Sequence, residues 1–319
     1  MKKLWIALLL SAATAMYAQK EPCTTPGQDN AFLGIQTIQL WPGAAPQARG
    51  TECEDVPTMT IFAPQLGHDN GSAVVIFPGG AYAGLAGNLE GRQVADWFAQ
   101  RGFRAFVVSY RLTSHGYVLP VPLLDARRAI QTVRARAKEY YINPNRIVAV
   151  GFSAGGHLAA LAGTQFVDGD PKASDPVERV SSRPDALVLV YPWIGAISSD
   201  TSHLSYCKLF HLMDRCEALR AAFSPDLYVT KKTPPTFWVH TFNDETVPLE
   251  QGLRFYEALV KADVPSEAHV FPKGPHGTGF GKGDAVLDQW PALLETWLRT
   301  QGLLTRDASV AGPMPDWMK

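Results

Sequence analysis

The stretch Ile147-Val148-Ala149-Val150-Gly151-Phe152-Ser153-Ala154-Gly155-Gly156-His157-Leu158-Ala159-Ala160-Leu161-Ala162 decides the fold. Its first four residues are apolar and three of them β-branched, the pattern of a buried strand. Its last residues are small and apolar, the pattern of a helix packed on a sheet. Between them Gly151-Phe152-Ser153-Ala154-Gly155 fits G-x-S-x-G. A serine on so sharp a strand-to-helix turn has its Oγ lifted clear of the sheet. The glycines two residues to either side give room where strand and helix backbones converge. The helix that follows points its positive dipole end at a reacting carbonyl. Ser153 is therefore the expected nucleophile.

Outward from this turn, apolar runs at 73–77, 105–108, 147–150, 186–190, 236–239 and 268–271 read as strands. Near-continuous apolar strands require cover on both sheet faces. Amphipathic stripes lie between and after them. Leu123, Ala126, Ile130, Val133 and Ala137 form one, Leu249, Leu253, Tyr256 and Val260 a second, and Val286, Trp290, Leu293 and Trp297 a third. Alternating strands and helices predict an α/β fold with a mostly parallel central sheet. Strands at 36–40 and 57–63, ahead of the first long helix, predict an antiparallel edge. The segment 195–230 breaks the alternation and is read as a cap or lid insertion. No repeat or linker divides the chain, so 19–305 is read as one catalytic domain and 306–319 as a loose tail.

Composition narrows the function. With 29 basic against 30 acidic residues the net charge is -1, and neither a basic stripe nor a polybasic patch is present. Nucleic-acid binding and polybasic membrane docking are not expected. Lys2-Lys3, an apolar run over 4–13 and the small residues that follow form a secretory signal pattern, with cleavage expected after Ala18. The expected location is the periplasm or the cell exterior. Glu21-Pro22 before Cys23 is not a lipobox, so no lipid anchor is expected. Export into an oxidising compartment makes the even count of 4 cysteines a disulfide set. The pairing read here is Cys23–Cys53 and Cys207–Cys216, one of three connectivities; free buried cysteines are the alternative.

A serine nucleophile needs a base, and the base needs an orienting carboxylate, in the chain order Ser, Asp/Glu, His. After the strand at 236–241 comes Asn243-Asp244-Glu245, and Asp244 is the expected acid with Glu245 as competitor. After the next strand comes Lys273-Gly274-Pro275-His276-Gly277, and His276 is the expected base. The oxyanion donors are expected from the N–H groups of Ala154, Gly80 and Ala81, the last two in Pro78-Gly79-Gly80-Ala81-Tyr82. Such a donor is worth roughly 3–4 kcal/mol in the transition state. His157 is expected beneath the elbow and His240 at a buried strand end. No histidine pair has metal-ligand spacing, so neither metal nor other cofactor is expected.

These motifs resemble the α/β-hydrolases of the esterase/lipase group that holds acetyl xylan esterases and Bacteroidetes-type feruloyl esterases. The resemblance also rests on Leu40-Trp41-Pro42-Gly43, Glu90-Gly91, Tyr110-Arg111-Leu112, Asp125-Ala126-Arg127-Arg128, Arg183-Pro184-Asp185 and Tyr191-Pro192. Two departures stand out. Ala81 occupies the place of a frequent third glycine, and Asn243 that of a frequent aspartate before the acid. The resemblance implies the α/β-hydrolase fold and a serine esterase that removes short acyl groups, such as acetyl, from plant polysaccharide. Its substrate partner would be an acylated saccharide. Tyr82 and Trp193 are then expected to form an aromatic platform for sugar. A feruloyl esterase, a general short-chain carboxylesterase and, more distantly, a serine peptidase are the alternatives.

Overall fold

The computed structural model describes residues 35–195, 221–307 and 309–310. Eight strands form one sheet: β1 (Ile35–Gln39), β2 (Thr58–Phe62), β3 (Ala73–Phe77), β4 (Arg104–Ser109), β5 (Ile147–Phe152), β6 (Ala186–Val190), β7 (Thr236–Thr241) and β8 (Ser266–Phe271). Their order is β1-β2-β4-β3-β5-β6-β7-β8. β1 and β2 pair antiparallel, as do β2 and β4, and every later pairing is parallel. The antiparallel edge thus lies where the sequence places it. β3 has β4 on one side and β5 on the other, so the chain changes direction across the sheet at β3. In open α/β sheets a ligand crevice forms outside the strand ends at such a switch point. The loops leaving β3 and β5 are the glycine loop and the serine turn.

Five helices are described: α1 (Gln93–Ala99), α2 (Val121–Ala135), α3 (Ala154–Thr164), α4 (Leu249–Lys261) and α5 (Trp290–Thr300). Strand side chains alternate between faces. Val75, Ala149, Leu187 and Trp238 pack under α2, α3 and α4. Val74, Ile76, Val148, Val188 and Val239 pack under α1 and α5. Both faces are covered, which is why the strands read as continuous apolar runs.

The α2 stripe faces the core as expected, with Leu123, Ala126, Ile130 and Val133 all buried. The α4 stripe does so only in part: Leu249 and Tyr256 pack against the core, but the other two members do not. Leu253 is 37% and Val260 59% exposed, whereas Gln251, Gly252, Phe255 and Leu259 face inward. The reason is Gly252, where a Cβ would stand 2.2 Å from the Trp238 ring. Close approach to that indole rotates the helix away from its most apolar stripe. On α5, Leu294 and Leu298 complete the buried face beside Trp290 and Trp297, and Val286 lies exposed ahead of the helix.

A buried ion pair anchors the segment between β4 and α2. Arg111 Nη2 donates to Asp125 Oδ1 at 2.6 Å, Arg111 Nε to Oδ2 at 3.0 Å and the Arg111 N–H to Oδ2 at 2.9 Å. Both side chains are inaccessible, at 1% and 0%. Burial pushes the Asp125 carboxyl up, against the pull of the Arg111 guanidinium. Removing one partner leaves the other charge buried alone. Asp125→Ala is therefore expected to cost about 3–5 kcal/mol. A urea midpoint within experimental error of the parent would contradict this.

The tail is not loose at its start. The Asp307 N–H donates to the Asn70 carbonyl at 2.9 Å, and Asn143 Nδ2 to Asp307 Oδ2 at 2.8 Å. Such side-chain anchors leave no periodic trace in a sequence. Of the expected insertion, 221–230 includes a 3₁₀ turn, Pro225–Tyr228, held to α4 by an Arg254–Asp226 ion pair at 2.7 Å. Residues 196–220 lie outside the described residues, as do the expected signal segment and Cys23, Cys207 and Cys216. Cys53 is disulfide-bonded, and neither expected pairing falls wholly within the described residues. Among the described residues no helix is long and apolar enough to cross a membrane, and no cluster of His, Cys, Asp and Glu suits a metal.

Candidate active site

Ser153 stands between the end of β5 and the start of α3 with φ 52° and ψ -119°, a backbone conformation few non-glycine residues adopt. Its neighbours make the turn possible. A Cβ on Gly151 would lie 2.1 Å from the Gly155 carbonyl oxygen, and one on Gly155 2.0 Å from that of Phe77. Gly155 therefore lets α3 sit directly against the end of β3. Gly155→Ala is expected to cost about 3 kcal/mol or more through backbone displacement. A variant that melts like the parent would refute this reading. The turn is fixed by Ser153 N–H on the Val190 carbonyl at 3.0 Å and Trp193 N–H on the Ser153 carbonyl at 3.2 Å.

The structure brings the three expected side chains together. His276 Nε2 lies 2.8 Å from Ser153 Oγ, and His276 Nδ1 lies 2.7 Å from Asp244 Oδ2. The other Asp244 oxygen, Oδ1, accepts the N–H groups of Thr246 and Val247, both at 2.9 Å. Burial pushes the Asp244 carboxyl up, but the bonds from His276, Val247 and Thr246 outweigh it and hold it below its ordinary value. It stays ionised, able to keep the Nδ1 proton in place. Glu245, the competitor, points into solvent. Asn243 holds the histidine loop: its Oδ1 accepts the Gly274 N–H at 2.9 Å, while Thr241 Oγ1 donates to the Gly274 carbonyl at 2.9 Å.

The glycine loop wraps beside the serine. Gly80 has φ 132°, and a Cβ there would meet the Gly84 carbonyl at 2.2 Å. Ala81 and Tyr82 follow at φ 54° and 58°. The loop's carbonyls are tied inward. The Gly80 carbonyl accepts from Ala83 and Gly84, both at 3.0 Å, and the Tyr82 carbonyl from Thr113 N–H at 2.8 Å. Among the described residues no acceptor takes the N–H of Gly80, Ala81 or Ala154. Ala154 is the first residue of α3, so its N–H has no intrahelical partner. These are the three donors expected for an oxyanion.

Tyr82 departs from expectation. It is fully buried, and its hydroxyl lies 2.7 Å from His157 Nδ1. It cannot offer a ring to a sugar; it braces the loop instead. His157 Nε2 donates in turn to the Phe223 carbonyl at 2.7 Å. Burial pushes the His157 imidazole down to about 4, so it is neutral at ordinary pH. Neutral His157 donates from Nε2 and accepts the Tyr82 hydroxyl at Nδ1. Trp193 is half-buried, with its ring 4.5 Å from that of His157. His240 is buried as expected and holds the Val247 carbonyl at 2.8 Å.

The sequence reading missed Asn243, Glu90 and Tyr191 as parts of the site. Glu90 Oε2 accepts the Gly79 N–H at 2.8 Å, Tyr191 donates to Glu90 Oε1 at 2.7 Å, and the Gly279 N–H donates to the Tyr191 hydroxyl at 2.8 Å. Glu90-Gly91 and Tyr191-Pro192 were visible only as points of family resemblance.

Comparison with known proteins agrees with this architecture. The chain is similar to an acetylxylan esterase of Xylanibacter ruminicola, 32% identical over 76% of this chain and 48% of that protein. It is also similar to endo-1,4-beta-xylanase B of Butyrivibrio fibrisolvens, 32% identical over 64% of this chain and 32% of that protein. The chain thus spans about half or less of the length of these relatives. Among solved structures it resembles an acetyl ester-xyloside bifunctional hydrolase from Caldicellulosiruptor lactoaceticus, with a TM-score of 0.77 and 39% identity over 84% of this chain and 97% of that one. The fold is that of the α/β-hydrolases. The family model BD-FAE matches residues 59–259, more than half of the chain, and the protein belongs to that family.

Proposed function

We propose that the protein is a serine carboxylic-ester hydrolase that removes short acyl groups, acetyl above all, from plant polysaccharide or its oligosaccharides. The observation that carries the reading is the unbroken Ser153–His276–Asp244 chain beside three open N–H groups. Ser153 Oγ attacks the ester carbonyl and gives its proton to His276 Nε2. The carbonyl oxygen takes the charge and moves into reach of the N–H groups of Gly80, Ala81 and Ala154. The C–O bond to the alcohol breaks, and the alcohol leaves with the proton from Nε2. Water then repeats the sequence on the acyl-serine, releasing the acid. Asp244 holds the imidazole tautomer and stabilises the imidazolium formed in each half.

The acetyl and saccharide parts of the reading are supported by the likeness to the acetylxylan esterase and the acetyl ester-xyloside hydrolase above. The same proposal includes export by a segment cleaved after Ala18 and the pairing Cys23–Cys53 and Cys207–Cys216, which would bring the enzyme to where such polymers are met. Glycoside cleavage is not part of this reading. It calls for two carboxyl groups flanking the scissile bond, and the buried carboxylates near the nucleophile, Asp244 and Glu90, are both engaged by protein donors.

The reading is tested with purified protein and the Ser153→Ala variant as control. Acetate release from acetylated xylan is measured beside ferulate release from a feruloylated arabinose ester. Acetate release lost in the variant is the expected result. Ferulate release alone would replace acetyl specificity with that of a feruloyl esterase. Release of neither, with p-nitrophenyl acetate still cleaved, would overturn the polysaccharide assignment and leave a general carboxylesterase.

A further inference from the structure

Glu90 lies in a π turn, Gly87–Arg92, ahead of α1, and is 3% exposed. A carboxylate at the start of a helix is ordinarily solvated, and burying one without a cation is costly. Among the described residues no guanidinium or ammonium pairs with it. Burial pushes its carboxyl up, and the bonds from Tyr191 and Gly79 work against that rise. Its two oxygens each serve a different catalytic loop. Oε2 takes the N–H of Gly79, the residue just before the donors Gly80 and Ala81. Oε1 takes the Tyr191 hydroxyl, which itself accepts the N–H of Gly279, three residues past His276. The Tyr191 ring also stands edge to face with His276, with ring centroids 4.8 Å apart.

We infer that Glu90 is a positioning residue that, through Tyr191, fixes the oxyanion loop relative to the loop of the general base. The inference rests on the proposed roles of Ser153, His276 and the loop N–H groups. Three donors point along one chain toward the carboxylate, so only a group that accepts on both oxygens satisfies it. A glutamine of the same shape cannot. If its amide oxygen takes the Gly79 N–H, its NH₂ faces the tyrosine hydroxyl, whose own O–H then loses the acceptor it has in Glu90 Oε1. If its oxygen takes the tyrosine, its NH₂ faces the Gly79 N–H. Either arrangement shifts one loop against the other. Misplacement on the ångström scale costs about a hundredfold in rate.

The test compares Glu90→Gln, Tyr191→Phe and the double variant, with rates normalised to active sites counted by a serine-directed phosphonate. That count is independent of Glu90, and Ser153→Ala separately checks the nucleophile, so failure of this inference is distinguishable from failure of the functional reading. Glu90→Gln is expected to lower kcat per active site about 10- to 100-fold with KM changed less than about threefold. Affinity for a boronic acid transition-state analogue should fall by a similar factor. Tyr191→Phe should lower kcat about tenfold, and the double variant should be no worse than Glu90→Gln, because both interrupt one chain. The inference is overturned by an unchanged kcat per active site in both single variants. It is also overturned if their losses multiply in the double variant, or if activity falls only through the number of active sites. Should Glu90→Gln fail to fold, Tyr191→Phe, which removes one oxygen atom, carries the same test on its own kcat and analogue affinity.

Discussion

Ser153→Ala is expected to lower kcat by about six orders of magnitude. The variant removes the only atom that bonds to the acyl carbon, and what remains is the oxyanion loop and substrate binding. Those two account for a residual rate about 10³–10⁴-fold above the uncatalysed reaction in enzymes of this type. Folding should not suffer. The strain at φ 52° belongs to the backbone, and alanine meets it as serine does. The Oγ has one described partner, His276 Nε2, on a side chain that is 15% exposed. A steady-state assay on p-nitrophenyl acetate beside a thermal melt checks both parts. A variant with the parent's melting temperature and more than about a thousandth of its kcat would contradict the nucleophile assignment.

Asp244→Asn is expected to lower kcat about 10⁴-fold with the fold intact, and the surroundings say why. Oδ1 accepts two backbone N–H groups, from Thr246 and Val247. An asparagine must keep its carbonyl oxygen there, since its NH₂ would otherwise face two donors. The NH₂ is thereby turned toward His276 Nδ1, which can no longer be the protonated nitrogen. The ring proton moves to Nε2 and faces Ser153 Oγ, so the base has no lone pair for the serine proton. The result is a well-formed site with the wrong tautomer. Activity recovering at high pH, where the ring proton is lost more readily, would fit this account. A loss of less than about tenfold at neutral pH would contradict it.

How much of this was legible in the sequence depended on whether a signal was local. The nucleophile turn was legible because steric need writes glycines at fixed offsets, and the contacts of Gly151 and Gly155 show the need directly. Asp244 and His276 were legible because chain order and strand ends locate them. The sheet was legible because two covered faces demand continuous apolar strands. The inward face of α4 was not, because it is set by the Trp238 indole lying against Gly252, a contact between distant parts of the chain. Tyr82 was read as a surface aromatic for want of any local sign that His157, 75 residues on, takes its hydroxyl. Glu90 and Asn243 were missed likewise. Their importance comes from donors 11 to 101 residues away, and no spacing rule connects them.

The central claim is that ester cleavage runs through Ser153. The most direct measurement titrates the protein with a serine-directed organophosphonate and locates the adduct by peptide mass spectrometry while residual activity is followed. The account predicts one phosphonyl group per chain, on Ser153, with activity lost in proportion to labelling and no adduct in Ser153→Ala. Complete inactivation with the label on another residue, or full activity after Ser153 is labelled, would contradict it.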